Sequence, residues 1–466
     1  MRHRAGRLRR GALVACLLGA GLLAPLVVRA EAADLIALYD LALTNSTDLS
    51  VARSKHEVAR EIIPQARAEM LPRFGLRVTR GKFQQRRTIR GIKVPEELYD
   101  NEGNGIEFQM PIFRPGLIAQ YVRSKHVVAG SQADLDAARR YMAGELMAAY
   151  LEALRAAEQA ALVGRQIKRA LTERRAAESA LVGGTGTRTA IDEANAEVER
   201  LKADQIESRQ ALAYALDTLA AAAGEQVTAV AGLGETRFAP LDFVPEEYAA
   251  LYARGDAANP EIESLRRQID VARAEEKMSW SAHLPTLDAV GQWGNELGSN
   301  PYFADNGYSA ESITLQVRMP LFSGGGDLSR DREAAAKVVA AEDELRRAQT
   351  RLGLQIRQET SLLENGASRI SALNTAAAAY ETAIRSTRMG LQAGTRTLLD
   401  VLEAERQEYQ VRVALIEQRY ELLGAWGRLQ MVSGMPEREV LGRINALLDG
   451  AAPVPAAQAP GADAEG

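Results

Sequence analysis

Proline is absent between Pro115 and Pro240 and again between Pro320 and Pro436. No other feature of the 466-residue chain restricts its fold so strongly. A proline inside a helix costs roughly 3 kcal/mol, so two long proline-free stretches rich in Ala, Glu, Arg, Gln and Leu admit very long helices. The spacing predicts helices of about 65–70 residues, from 115 to about 182 and from 326 to about 391, each about 100 Å long at the α-helical rise. Helices of that length cannot be enclosed in a compact core. They are expected to pack side by side in coiled-coil fashion, with alanines permitting close approach. An alternating α/β enzyme would distribute Gly and Pro breakers far more evenly.

The two stretches belong to a duplication of about 210 residues. Leu71-Pro72 is matched by Leu284-Pro285, and Met110-Pro111-Ile112-Phe113 by Met319-Pro320-Leu321-Phe322. Gly186-Thr187-Arg188-Thr189 is matched by Gly394-Thr395-Arg396-Thr397, with Asp192, Ala196 and Glu197 then falling opposite Asp400, Ala404 and Glu405. Each half reads as helix, strand, loop, strand, long helix, short turn, long helix.

The strand segments alternate. Phe74, Leu76 and Val78 oppose Arg77 and Thr79, and Ile106, Phe108 and Met110 oppose Glu107 and Gln109. Leu287, Ala289 and Trp293 oppose Asp288 and Gln292, while Ile313, Leu315, Val317 and Met319 oppose Thr314, Gln316 and Arg318. This period suits membrane β-barrel strands, apolar towards lipid and polar towards a lumen; a two-sided sheet of a soluble domain has the same period. Polar loops are expected at 82–104 and 295–311, on the outer side of such a barrel. Strands in a bilayer must close on themselves, and small barrels use about eight strands or more. Four strands per chain therefore require oligomerisation if they span a membrane.

Charge and composition remove other classes. Lys plus Arg number 57 against 61 Asp plus Glu, a net charge of −4, so no basic nucleic-acid footprint exists. Cys16 is the only cysteine, and His3, His56, His126 and His283 form no ligand cluster. No metal or cofactor is expected, and no catalytic constellation is placed by a motif. Gly324-Gly325-Gly326 lacks the Lys-Ser/Thr context of a phosphate-binding loop and reads as a strand-to-helix turn. Arg2, Arg4, Arg7, Arg9 and Arg10 precede an apolar run at 11–28, followed by Ala30-Glu31-Ala32. This is the pattern of a secretory signal peptide over 1–32, with an uncleaved anchor as the alternative. The remaining divisions are a first repeat at 33–223, an inter-repeat equatorial linker at 224–260, a second repeat at 261–434 and a partly disordered tail at 435–466.

From about 34 to 434 the chain resembles the TolC-like outer-membrane efflux protein family. The most specific element is Gly394-Thr395-Arg396-Thr397-Leu398-Leu399-Asp400-Val401-Leu402-Glu403-Ala404. The resemblance implies a mainly α protein with a membrane β-barrel: a homotrimer whose twelve-stranded barrel continues into a long α-helical periplasmic tunnel. It implies an outer-membrane location and, as partners, outer-membrane lipid, a periplasmic adaptor and an inner-membrane ABC or proton-driven transporter. It also implies site roles. Asp400 and Glu403 would form the pore constriction; spaced i, i+3, they share a helix face, as residues of an ordinary solvated face also would. Arg396 and Asp192 would belong to the gate latch, and Gly186, Thr187, Arg188, Gly394 and Thr395 to the adaptor-contact tips. Leu391 departs from the TolC-like pattern, which has a tyrosine in the closing network there, so the resemblance does not carry over that one hydrogen-bond latch.

The expected function is a non-enzymatic exit duct for type I protein secretion. Small-molecule efflux is the alternative duct, and a soluble periplasmic coiled-coil scaffold the alternative from another class. The Gly-Thr-Arg-Thr segment and the lack of a convincing lipidation motif around Cys16 favour secretion.

Overall fold

The computed structural model describes residues 34–227, 229–231, 247–298, 307–448 and 453–455. The stretch read as a signal peptide, residues 228 and 232–246 of the stretch read as linker, residues 299–306 and 449–452, and the tail from 456 lie outside the described residues. The first half consists of α1 (Leu35–Asn45), α2 (Thr47–Arg60), α3 (Ile62–Ala68), β1 (Arg73–Ile89), β2 (Ile92–Phe113), α4 (Pro115–Val182) and α5 (Arg188–Ala223). β3 (Ala229–Ala231) and α6 (Tyr248–Ala258) follow, within the stretch read as linker. The second half consists of α7 (Pro260–Trp280), β4 (Thr286–Gly298), β5 (Gly307–Arg318), α8 (Gly326–Gln392) and α9 (Leu398–Val432). α10 (Glu437–Leu448) and β6 (Pro453–Pro455) complete the chain.

Local chemistry sets the starts of the long helices. Pro115 occupies the first turn of α4, where the amide it lacks would be unsatisfied anyway. Gly324 and Gly325, at φ 63° and 83°, turn the chain from β5 into α8 through a conformation that few other residues adopt. The two helices run for 68 and 67 residues, about 100 Å each. Their cores are strips between helices. In one, Tyr150, Leu146, Met147 and Leu154 pack with Leu219 and Leu423. In another, Ile356 and Leu352 pack with Leu251 and Leu422. α10 joins the first strip through Val440, Leu441 and Ile444, and β6 pairs with β3. The tail therefore carries ordered elements that its composition did not announce.

The four longer strands form one antiparallel sheet in the order β1-β2-β4-β5. Its central pair, β2 with β4, joins the two halves. Phe74, Phe108, Gly291 and Ile313 stand in register across all four strands, and Leu76, Ile106 and Trp293 across three. This face is apolar and open: Phe74, Leu76, Ile313, Leu315 and Val317 are all exposed. Gly291 leaves room for the Trp293 ring, since a Cβ there would lie 2.8 Å from its Cη2. The opposite face carries Gln292, Ser312 and the ion pair of Arg77 with Glu107.

One expectation fails. Most of 82–104 is not a loop: β1 and β2 continue through it to a two-residue turn, with Ile89 opposite Ile92. Arg90 and Gly91 both take positive φ, 49° and 83°, the geometry that matches hairpin twist. The described parts of 295–311 are likewise strand. Pro111 marks a register shift in β2, consistent with its missing amide donor. The first Met-Pro-Ile-Phe segment thus ends the sheet, and its counterpart Met319-Pro320-Leu321-Phe322 follows β5 directly.

Candidate functional site

The two helical hairpins, α4–α5 and α8–α9, end in the same turn. At the first, the amides of Thr185 and Gly186 donate to the Ala180 carbonyl at 3.0 and 2.9 Å, and Gly184 takes φ 74°. At the second, the amides of Thr395 and Arg396 donate to the Gly390 carbonyl at 2.9 and 3.2 Å, and Gly394 takes φ 72°. These are glycine-dependent helix C-caps. The next helix then starts on a threonine cap. Thr187 Oγ1 accepts from the Ala190 amide at 3.2 Å, and Thr397 Oγ1 from the Asp400 amide at 3.3 Å.

This geometry corrects the sequence register. Gly184-Thr185-Gly186-Thr187 is the structural counterpart of Gly394-Thr395-Arg396-Thr397, so Thr187 corresponds to Thr397. The Gly-Thr-Gly-Thr-Arg-Thr run is self-similar, and the sequence match fell one dipeptide late. Arg188 therefore opens α5, Ala190 corresponds to Asp400, Glu193 to Glu403, and Asp192 to the buried Leu402.

Each tip needs one small residue where the turn folds back on its helix, and the halves place it on opposite sides. A Cβ on Gly186 would come within 2.6 Å of the Leu181 amide nitrogen and 2.8 Å of the Ala180 carbonyl carbon. At the second tip the corresponding residue is Arg396, and Gly390 provides the space: a Cβ there would lie 2.8 Å from Arg396 Cγ.

The acidic residues sit at the start of α9. Leu398, Val401 and Leu402 turn inward against Ile191, Ala194 and Ala177, with Leu391 packed at the margin. Asp400 closes a capping box: its Oδ2 accepts from the Thr397 amide at 2.8 Å and the Thr397 hydroxyl at 2.9 Å. Those bonds, the backbone one first, hold its carboxyl below the usual range, and Arg396 adds to the effect. Glu403 is exposed, pairs with Arg406 and accepts from Gln407 at 3.0 Å. The two residues expected to form a latch each have a partner on their own hairpin: Arg396 lies 3.8 Å from Asp400, and Asp192 lies 3.5 Å from Arg188. Both Arg396 and Asp192 are well exposed.

A second feature escaped the sequence reading. Above the tips a ladder of ion pairs joins the two hairpins through their interior. Arg388 of α8 donates from Nη2 to Glu173 of α4 at 2.6 Å and to Glu405 of α9. One helical turn further, Glu408 has no exposed surface and accepts from Arg169 of α4 at 3.2 Å and from Arg412, which also bonds Glu381 of α8. Burial pushes the Glu405 carboxyl up, against the pull of Arg388. The available signal was the i, i+3, i+7 spacing of Glu405, Glu408 and Arg412, which marks one helix face.

The chain matches the family model described as outer membrane efflux protein over residues 38–225 and 251–435. It is 28% identical to the alkaline protease secretion protein AprF of Pseudomonas aeruginosa, over 85% of this chain and 83% of that protein. It is 29% identical to the proteases secretion protein PrtF of Dickeya chrysanthemi, over 87% and 89%. The outer membrane protein TolC of Vibrio cholerae is 25% identical over 88% and 93%. Among solved structures, the fold matches CusC with a TM-score of 0.76 at 16% identity, covering 86% of this chain and 92% of that one. It matches the outer membrane protein VceC of Vibrio cholerae with a TM-score of 0.73 at 20% identity, covering 86% and 96%. The fold is thus that of a TolC-like outer membrane channel, mostly helical.

Proposed function

The chain belongs to the outer membrane efflux protein family, and from that premise we propose that it is the outer-membrane exit duct of a type I secretion system. In this role it passes a protein from an inner-membrane ABC transporter and a periplasmic adaptor to the cell exterior. The family is one of transport channels at the outer membrane, not of enzymes. No described helix is long and apolar enough to cross a membrane.

One observation carries the duct: a four-stranded sheet with an open apolar face, whose outer strands β1 and β5 each pair on one side only among the described residues. An open edge in hydrocarbon leaves backbone groups unsatisfied. Three copies joined edge to edge give twelve strands, and their helices continue the wall as a periplasmic tunnel. In that assembly Asp400 and Glu403 ring the narrow end. Arg396 and Asp192, both exposed, latch it between neighbouring copies. The tip residues Gly186, Thr187, Arg188, Gly394 and Thr395 meet the adaptor. Residues 1–32 direct export and are removed.

Protein cargo is favoured by the protease-secretion relatives AprF and PrtF. The outer membrane efflux protein BepC of Brucella suis, 25% identical over 40% of this chain and 42% of that protein, keeps efflux as the second reading, with small molecules as the cargo of that reading. Deleting the gene and measuring both the extracellular proteome and drug susceptibility separates them. Loss of one or a few secreted proteins with unchanged susceptibility is expected. The reverse pattern replaces secretion by efflux.

A further inference from the structure

Two carboxylates share a single nitrogen at the join between the hairpins. Glu173 on α4 and Glu405 on α9 both accept from Nη2 of Arg388 on α8, so one oxygen of each flanks the same nitrogen. Glu405 is buried, Glu173 largely so, and the Arg388 Nε beside them is buried without a hydrogen-bond partner.

The surrounding charges do not relieve the excess. From α4, Arg169 bonds Glu408 at 3.2 Å. From α5, Glu197 and Arg200 line the crevice beside Glu405 but bond each other at 2.9 Å, and Arg200 also holds Asp204 at 2.7 Å. On α9 itself, Arg406 is drawn outward to Glu403, and Tyr409 contributes a neutral phenol. Across the ladder, the carboxylates Glu173, Glu405, Glu408 and Glu381 face the guanidiniums Arg388, Arg169 and Arg412. The carboxylates outnumber the guanidiniums by one; Glu405 and Glu408 are sheltered from water, whereas Arg388, Arg169 and Glu381 keep part of their surface exposed. Like charges that share a buried site do not both stay ionised easily.

We propose that Glu405 is a proton-binding positioning residue: protonated, it donates to the Glu173 carboxylate, accepts from Arg388, and so fastens the α8–α9 hairpin to α4. Its raised affinity for the proton exists while the hairpins are packed. When they part, water restores an ordinary carboxyl. The packed state therefore binds more protons, so packing is fully favoured at pH values below the ordinary carboxyl value of 4.5. That advantage is lost as pH rises through the elevated value of the packed state. In the duct proposed above, on which this functional consequence rests, acid holds the tunnel end closed and rising pH loosens it.

The test uses the full-length protein in detergent. Hydrogen–deuterium exchange of residues 384–410, corrected for intrinsic rates, is followed as pH rises from the ordinary carboxyl value of 4.5, since the packed carboxyl is shifted upward from there. Protection should fall with rising pH in the wild type. Glu405→Gln, which keeps shape and the Arg388 bond but cannot titrate, should abolish the dependence. Glu173→Gln removes the competing charge and should move the midpoint to lower pH; it also serves if Glu405→Gln does not fold. A flat wild-type profile, or an unchanged midpoint in a folded variant, overturns the proposal. Conductance in planar bilayers is measured in parallel. Pores whose conductance ignores pH remove the gating consequence, whereas a pH-dependent exchange profile without any pore counts against the duct and leaves the proton site standing.

Discussion

Arg114 and Asp288 join the sheet of one half to the long helix of the other. Arg114 Nε and Nη2 each lie 2.7 Å from a different oxygen of Asp288, a bidentate pair of the stronger kind. Arg114 immediately precedes α4, Asp288 lies on β4, and the Asp288 side chain is 6% exposed. The contact fixes the direction in which α4 leaves β2. Breaking a buried pair from one side costs about 3–5 kcal/mol, and the partial exposure of Arg114 places Asp288→Ala near the lower end. The folded protein should show a clear fall in its denaturant midpoint. A change within error would reduce the pair to a surface contact.

The tips predict an asymmetry between equivalent turns. Gly186→Ala drives a methyl into backbone atoms of Leu181 and Ala180, which cannot move without distorting α4. Gly390→Ala meets the Arg396 side chain, which can swing into solvent. Overpacking against fixed atoms costs about 1–3 kcal/mol, so the first substitution should raise amide exchange around 180–190. The second should leave 390–400 nearly unchanged. Equal effects would show that the second turn is as rigid as the first.

The first hairpin predicts a surface marker. Its turn is Arg90-Gly91, at the end of β1 farthest from α3 and α4. If the sheet spans the outer membrane with its helices in the periplasm, a cysteine replacing Arg90 should react with an impermeant maleimide on intact cells. Labelling only after the outer membrane is breached would reverse the orientation or remove the sheet from the membrane.

What the sequence revealed follows from the strength of each local signal. The long helices were legible because one interior proline would have broken either, and the observed ends, Val182 and Gln392, fall where the glycines begin. The strands were legible where an apolar side alternates, as at Phe74, Leu76 and Val78. Beyond Thr79 the residues Arg80, Lys82, Gln84, Glu102 and Asn104 are polar whichever way they point, so alternation vanished although the ladder continued. The first tip was misregistered because Gly-Thr repeats within it; cap geometry distinguishes the repeats and composition does not. The sheltered positions of Glu405 and Glu408 were not read from the sequence, since burial of a charge depends on partners from α4 and α8 far away in the chain.

The acidic end of α9 supplies the last prediction, because Asp400 holds two positions at once. Its carboxylate caps α9 through Thr397 and lies on the same helix face as Glu403. Three copies of Asp400 and Glu403 around an axis would concentrate negative potential in a narrow passage, favouring cations in a salt-sensitive way. Asp400→Asn with Glu403→Gln retains one acceptor for the cap while removing both charges, so cation selectivity in planar bilayers should drop with the helix intact. Arg396→Ser leaves both carboxylates in place and removes the cation 3.8 Å from Asp400; resting conductance should rise while selectivity is kept. The cap adds a pH signature. Because the Asp400 carboxyl is depressed in the folded state, its contribution to holding the tip is present above the ordinary aspartate value. It is lost as pH falls through the depressed one, a window more acidic than that of Glu405. A double variant with unchanged selectivity would leave Asp400 as a helix cap and Glu403 as a solvated partner of Arg406.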